Sequence, residues 1–180
     1  MTMKAGIIGC GVISGAYLRN GATFSSVKIV AGSDILPEAS RGRAAEFGIK
    51  DMTVQEMLAD PEIGIILNLT TPQAHVEVNL QALEANKHVY CEKPFGLDRQ
   101  GGLEVIKLAK AKGLRVGCAP DTFLGGGHQT CRNVLDSGLI GKVISGTAFM
   151  MCHGHESWHI APAFYYLKGG GPMFDMGPYY

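Results

Sequence analysis

The sequence predicts an α/β fold with a doubly wound parallel sheet, and three observations support it. Short apolar runs alternate with helix-like segments through the first two thirds of the chain. The first run leads through a glycine-rich turn into a helix, as in Rossmann-type sheets. The run at residues 63–69, IGIILNL, is nearly all apolar, as a strand buried on both faces should be. Parallel neighbours require crossovers, so helices are expected on both faces of the sheet.

The individual elements follow from these runs and from residues that begin or end helices. Strands are predicted at 3–8, 27–31, 63–69, 87–91 and 114–118. Helices are predicted from prolines suited to a first turn, from capping side chains and from a terminal glycine. The residues concerned are Pro37 and Pro72, Thr53 with Glu56 as a capping box, Asp98, and Gly113.

The pattern changes near residue 121, which divides the chain into a first domain, 1–121, and a second region, 122–180. The second region begins with a glycine run, a predicted helix at 128–137 and a predicted long strand at 142–152. A single strand cannot pair its edges alone, so this region is interpreted as an incomplete domain.

Composition excludes several classes of protein. Basic and acidic residues number 16 each, and no basic stripe occurs, so nucleic acid is not an expected partner. The five cysteines are scattered and include no Cys-x-x-Cys pair, which argues against a disulfide framework and a zinc ribbon. No apolar run approaches the ~18 residues of a membrane span. A cytoplasmic protein without membrane contact is therefore expected.

The turn Gly9-Cys-Gly11-Val12-Ile13-Ser14 is the first candidate binding site. Gly9 would make the tight turn and Gly11 would leave room for a pyrophosphate, which the amino end of the following helix would face. Ser14 replaces the third glycine of the usual pattern. An ordinary glycine-rich turn is the alternative for this motif taken alone.

Asp34 strengthens the interpretation, because it ends the second strand 20 residues after Ser14. A carboxylate there can accept hydrogen bonds from both ribose hydroxyls and would repel a 2′-phosphate, which favours NAD over NADP. The alternative for Asp34 is a solvated turn residue before Pro37. Arg41 and Arg43 lie nearby and could still accommodate a phosphate, so NADP stays open.

Two further motifs follow the strands predicted at 63–69 and 87–91, at the edge where open α/β sheets bind ligands. The first contains Thr70, Thr71, Pro72 and His75, with a helix cap and a buried histidine as the alternative. The second is Glu92-Lys93-Pro94, whose lysine could hold a substrate oxygen or, with its pKa lowered by burial, transfer a proton. A surface Glu-Lys pair is its alternative.

The order and spacing of these motifs resemble the glucose-fructose oxidoreductase and inositol 2-dehydrogenase (Gfo/Idh/MocA) family over essentially the whole chain. The motifs that carry it are Gly9-x-Gly11-x-x-Ser14, Asp34, Asn68-x-Thr70-x-Pro72-x-x-His75, Glu92-Lys93-Pro94, the segment Gly125-Gly-Gly-His-Gln129 through Ser137-Gly-Leu-Ile-Gly141, and Gly169-Gly-Gly-x-x-x-Asp175-x-Gly177. The resemblance implies an NAD(P)-binding Rossmann domain at 1–121. It implies at 122–180 the incomplete beginning of a substrate-binding and oligomerisation domain with a mostly antiparallel sheet.

The resemblance also implies an activity and its residues. Family members transfer a hydride between nicotinamide and a hydroxyl-bearing carbon of a sugar, cyclitol or related polyol. Lys93 would orient and polarise the substrate oxygen, in a tight turn that can include a cis peptide bond before Pro94. Asp175 would bind substrate or relay a proton. Four residues beyond that aspartate, the family has a histidine and this chain has Tyr179, a phenol with an ordinary pKa of about 10.

The histidines His153, His155 and His159, with Glu156, have a spacing that could bind a metal. A loop over the active site is favoured instead, with His153 or His159 contacting substrate, and no metal is expected.

Three functions compete. A dehydrogenase of a polyol-like substrate is favoured, with homo-oligomers expected and with no turnover expected from the 180-residue chain alone. The alternative is a non-catalytic dinucleotide-binding fragment. A methyltransferase would explain the glycine turn and the acid but not Glu92-Lys93-Pro94.

Overall fold

The computed structural model describes residues 2–159 and 162–179, and the chain forms two compact units that meet between Ala119 and Pro120. None of the helices in the described residues is long and apolar enough to cross a membrane.

The first unit contains a six-stranded sheet in which every pairing is parallel. Its strands are β1 Met3–Ile8, β2 Val27–Ser33, β3 Lys50–Asp51, β4 Ile63–Asn68, β5 His88–Cys91 and β6 Val116–Cys118. The spatial order is β3-β2-β1-β4-β5-β6, so the chain runs outward on one side of β1 and then returns to its other side. The prediction of a doubly wound Rossmann sheet is confirmed. The crevice between β1 and β4 is the topological switch point, where such sheets bind ligands.

The helices of this unit are α1 Ser14–Gly21, α2 Pro37–Phe47, α3 Val54–Ala59, α4 His75–Glu84 and α5 Arg99–Lys112. Thr53 and Glu56 form the predicted capping box, and the Asp98 side chain accepts the Gly101 N–H at 2.9 Å. The helix predicted from Pro72 instead begins with a 3-10 turn, Pro72–Ala74, so that His75 is the first residue of α4.

The core lies on both faces of the sheet. Ile8 and Ile66 belong to one buried cluster, whereas their neighbours Ile7 and Leu67 belong to another. Successive side chains of a strand point to opposite faces, so the central strands must be apolar throughout. The two-residue strand β3, which pairs with Ala31 and Gly32, was not predicted because it is too short to show a periodicity.

The second unit contains α6 Gly126–Asp136, α7 Gly171–Asp175 and the 3-10 turns Thr122–Leu124, Pro162–Tyr166 and Gly177–Tyr179. The strand predicted at 142–152 is wrong, since no strand occurs among the described residues of this unit. A strand needs a hydrogen-bonded neighbour, and here β-branched and apolar residues suited to a strand have none to pair with. The antiparallel sheet implied by the resemblance therefore stays an expectation.

Candidate functional site

The glycine-rich turn follows β1 and packs against the end of β4. Gly9 has φ +100°, and a Cβ there would lie 2.5 Å from the carbonyl carbon and oxygen of Leu69. Only glycine fits this position. A Cβ at Gly11 would meet no atom within 4 Å, so the turn opens onto free space beside Gly11.

The amino end of α1 is available to an anion. No side chain among the described residues caps it, which leaves the first N–H groups of the helix for a ligand. Val12 and Ile13 are exposed beside the turn, whereas Ser14 is buried. The Ser14 hydroxyl donates to the Gly11 carbonyl at 2.6 Å, so a serine satisfies its polar group where the usual pattern has a glycine.

The Asp34 carboxylate is fixed against this turn at the end of β2. One oxygen accepts the backbone N–H of Cys10 at 2.6 Å, and the other accepts that of Leu36 at 2.9 Å. A carboxylate oxygen can accept more than one hydrogen bond, so both keep acceptor capacity for hydroxyl groups. A carboxylate held in this way can accept hydrogen bonds from the two hydroxyls of a ribose.

Cys10, in the middle of the turn, is a packing residue. Burial, and then the negative charge of Asp34, raises the pKa of its thiol to about 11. The neutral thiol group donates to the Ser33 carbonyl at 3.5 Å. No thiolate chemistry is available at this position near neutral pH.

A buried network shapes the loop after β4. The amide nitrogen of Asn68 donates to the His75 carbonyl at 3.0 Å and to the Asn79 side chain at 2.7 Å. The amide oxygen of Asn68 accepts the Thr70 hydroxyl at 2.7 Å. Thr70 is thereby fixed at the carboxyl end of β4, with Thr71 exposed and Pro72 half-buried beside it.

His75 joins two loops rather than facing solvent. Its ring is fully buried, with Nδ1 2.6 Å from the Pro94 carbonyl oxygen and Nε2 3.0 Å from the Thr70 carbonyl oxygen. The structure therefore gives the ring of His75 a supporting place behind the site, which is the alternative that the sequence left open.

Glu92 and Lys93 directly follow β5 at the same edge of the sheet. The Glu92 side chain accepts the Tyr17 hydroxyl at 2.8 Å with one oxygen and the Lys93 N–H at 3.0 Å with the other. The Lys93–Pro94 peptide bond is cis, and Lys93 is half-buried. A half-buried ammonium in a braced turn can hold a substrate oxygen by charge and hydrogen bonding.

In the second unit, Asp175 pairs with a histidine that the sequence did not single out as its partner. Nε2 of His155 lies 3.3 Å from Asp175 Oδ2, and only 4% of His155 is exposed. The imidazole is stacked on Tyr165 at 3.9 Å between ring centroids, with Trp158 at 4.7 Å. Nearly 20 residues separate the pair, so no local spacing could have revealed it.

Two other expectations concern this unit. The Tyr179 carbonyl accepts the Thr122 hydroxyl at 2.6 Å, which connects the two ends of the unit. Among residues 2–159 and 162–179 there is no group of three or more side chains suited to hold a metal.

The predicted cofactor residues thus all lie in the first unit, at the carboxyl edge of its sheet or directly behind it. The two remaining catalytic candidates, Asp175 and Tyr179, lie in the second unit.

Comparison with known proteins places this geometry in a family. Residues 3–119 match the Gfo/Idh/MocA family, described as an oxidoreductase family with an NAD-binding Rossmann fold. The inositol 2-dehydrogenase of Salmonella paratyphi B is 32% identical over an alignment of 163 residues that covers 87% of this chain and 46% of that protein. The 1,5-anhydro-D-fructose reductase of Ensifer adhaerens is 28% identical over 176 residues, covering 95% of this chain and 52% of that enzyme.

Solved structures show the same fold. An NAD-binding protein from Listeria innocua superposes with a TM-score of 0.81 at 23% identity, covering 99% of this chain and 52% of that one. The chain therefore spans about half the length of the relatives that it matches.

Proposed function

This chain belongs to the Gfo/Idh/MocA oxidoreductase family, and we propose that it forms the NAD-binding part of a dehydrogenase or reductase that acts on CH–OH groups of polyols. One observation carries the proposal. The glycine turn, Asp34, Thr70 and Lys93 end four neighbouring strands of one parallel sheet, on both sides of its switch point. An anion-binding turn, a ribose acceptor and a half-buried cation are thus collected at one edge.

The residues of this edge fit a dinucleotide. The open space beside Gly11 and the uncapped start of α1 suit a diphosphate, and Asp34 suits the adenosine ribose. Bound NAD supplies the hydride acceptor in the oxidation of an alcohol. We expect NAD to be preferred over NADP because the Asp34 charge opposes a 2′-phosphate.

Lys93 is proposed to hold the reacting oxygen of the substrate. Alcohol oxidation removes a hydride from carbon and a proton from oxygen, so a cation at that oxygen favours the developing negative charge. Two side chains hold the backbone around Lys93 in place. Glu92 accepts the backbone N–H of Lys93, and the His75 ring contacts the carbonyl oxygen of Pro94.

Asp175 is proposed to receive the proton or to bind substrate, with His155 as its partner. The proposal gives Tyr179, which stands where the family has a histidine, a smaller part in proton transfer. A phenol with an ordinary pKa of about 10 is a weak acid–base group near neutrality.

The relatives point to the class of substrate. Inositol 2-dehydrogenase and 1,5-anhydro-D-fructose reductase are named for a cyclitol and an anhydro sugar, respectively. We propose a substrate of this polyol-like class and a cytoplasmic location, without nucleic acid or membrane contact.

Turnover tests the proposal in a version of the protein with a complete substrate domain. Oxidation of cyclitols and sugar alcohols should produce NADH, and Lys93→Ala should abolish it while NADH binding persists. Retained turnover in this variant would remove Lys93 from the mechanism. If the dinucleotide binds but no alcohol is oxidised, the non-catalytic binding fragment is favoured.

Self-association is the second part of the proposal. Leu139, Ile144, Phe149 and Met151 each expose more than three quarters of their surface. Exposed apolar surface of this extent favours a binding partner that covers it. We propose that this partner is another copy of the chain. Light scattering should give a mass above that of one chain, and a monodisperse monomer would contradict the proposal.

A further inference from the structure

Arg43 extends from α2 to the glycine-rich turn. Its Nε donates to the Ser14 hydroxyl at 3.1 Å, and its Nη2 donates to the Gly11 carbonyl at 3.3 Å. A Cβ at Gly15 would lie 3.2 Å from Nη1 of Arg19 and 3.3 Å from both terminal nitrogens of Arg43, so the bare backbone of Gly15 makes room for both side chains. A cation is thus held at the turn that is proposed to bind the dinucleotide.

This cation lies close to the ribose acceptor. Gly11, whose carbonyl binds Arg43, directly follows Cys10, whose N–H binds Asp34. Opposite charges therefore contact adjacent residues of one turn. The Asp34 charge disfavours a 2′-phosphate, whereas a guanidinium favours it through charge and paired N–H donors.

Glu46 is the ion-pair partner of Arg43, and it therefore affects how much of the Arg43 charge can act on a ligand. It lies one helical turn beyond Arg43 on α2, and its carboxylate is 2.7 Å from Nη1. The arginine is about three-quarters buried at its side chain, whereas the glutamate is half exposed. With this pair intact, Glu46 offsets the Arg43 charge that would oppose Asp34 at the turn.

We propose that the Arg43–Glu46 pair sets the choice between NAD and NADP. While Glu46 binds and neutralises Arg43, Asp34 dominates and the site selects NAD. When Glu46 is absent, the guanidinium, still oriented by Ser14 and Gly11, becomes a ligand for the 2′-phosphate of NADP. The inference rests on the proposed function, because it concerns the same dinucleotide site.

Calorimetric titration of the 180-residue chain with NADH and NADPH tests this inference. Glu46→Gln removes the carboxylate charge and keeps the size of the side chain. We expect it to raise the affinity for NADPH about tenfold or more relative to NADH, which a single charge-assisted hydrogen bond can supply. The double variant Arg43→Gln with Glu46→Gln should lose this gain, because the effect acts through the guanidinium.

Glu62→Gln is the matched control. Glu62 forms an exposed pair with Lys4 at 2.8 Å, near the opposite edge of the sheet, so its loss changes the net charge equally and should leave the NADPH to NADH ratio unchanged. An unchanged ratio in Glu46→Gln, or an equal gain in Glu62→Gln or the double variant, would overturn the inference.

The wild-type chain separates this failure from failure of the proposed function. If it binds NADH and only the Glu46→Gln ratio stays unchanged, the dinucleotide site stands and the role of the ion pair is wrong. If it binds neither dinucleotide, the proposed site itself is wrong and the inference falls with it.

Discussion

The imidazole of His155 lies against the carboxylate of Asp175, with 3.3 Å between Nε2 and Oδ2 in a buried aromatic surrounding. This contact holds the carboxylate of Asp175 in one orientation. The histidine partner of Asp175 thus comes from a loop about 20 residues earlier in the chain.

The contact between His155 and Asp175 predicts that a substitution of Asp175 affects the chemical step and leaves cofactor binding unchanged. In a version with a complete substrate domain, Asp175→Asn should lower kcat by about 10²–10⁴-fold, the usual contribution of an acid–base group. The NADH dissociation constant should stay the same, because the cofactor residues lie in the first unit. Steady-state kinetics and calorimetry measure the two effects separately.

His155→Gln should reproduce part of the kcat loss, since it removes the ring nitrogen that lies 3.3 Å from the Asp175 carboxylate. Trp158→Phe is its control, because Trp158 lies in the same aromatic cluster, 4.7 Å from His155 between ring centroids. Equal losses in both variants would mean that the cluster acts only by packing.

The glycine turn predicts opposite consequences for two identical substitutions. Gly9→Ala should destabilise the first unit by more than the ~1–2 kcal/mol cost of a left-handed residue, because its Cβ would also collide with Leu69. Gly11→Ala should leave stability unchanged or slightly higher, yet weaken NADH binding by about tenfold or more, since the methyl group occupies the diphosphate approach. Urea unfolding followed by circular dichroism, with NADH titration, measures both. Normal NADH binding by Gly11→Ala would contradict the assignment of the turn.

His75 should matter for stability as well as for the site. His75→Ala leaves the carbonyls of Thr70 and Pro94 without this buried partner, and an unsatisfied buried group costs about 1–3 kcal/mol. We expect a loss of this size in urea unfolding, together with weaker NADH binding. His88→Ala removes a less buried ring that accepts one backbone N–H, and should cost less. A similar loss of stability in both variants would show that the contacts of His75 with the Thr70 and Pro94 carbonyls have no special effect.

The fold could be predicted from the sequence because its signals are local or periodic. The capping box at Thr53 and the cap at Asp98 act over three residues, and the apolar run of β4 records burial on both faces of the sheet. The strand predicted at 142–152 failed because pairing is a property of two segments, and an apolar run shows only one of them.

The candidate site could be predicted only in part, for the same reason. Asp34 and Lys93 could be proposed from the sequence because each lies within three residues of the end of a predicted strand. The contacts of Arg43 with Ser14 and of His155 with Asp175 join residues distant in sequence, and no spacing rule marks them. A cofactor contact of His75 stays a prediction, and only the structure shows that both of its ring nitrogens face backbone carbonyls.

The cysteines give a test of the packing around the site. Burial raises the pKa of Cys10 to about 11 and that of Cys91 to about 12, and it also raises the pKa of Cys118. Cys131 and Cys152 are exposed. Ellman's reagent at pH 8 should therefore label these two thiols promptly, the half-buried Cys118 more slowly, and Cys10 and Cys91 only after unfolding. Prompt labelling of Cys10 would contradict the packed turn.

The raised pKa values of Cys10 and Cys91 also predict how the stability of the fold changes at alkaline pH. The unfolded chain loses thiol protons near the ordinary pKa of 9.0, whereas the folded chain keeps those of Cys10 and Cys91 to about 11 and 12. The unfolded state then binds fewer protons, so stability present below pH 9 should fall as the pH rises toward 11. Cys10→Ala should reduce this fall in the pH dependence of urea unfolding. An unchanged slope would exclude a contribution from Cys10.

The central claim is a working NAD site formed by the glycine turn and Asp34. Parallel calorimetric titration of the 180-residue chain with NADH and NADPH tests it most directly, with Asp34→Asn as the variant that removes the charge opposing a 2′-phosphate. The account predicts one NADH site per chain, weaker NADPH binding, and a smaller difference between the two in Asp34→Asn. Binding of neither dinucleotide, or an unchanged preference in Asp34→Asn, would contradict it.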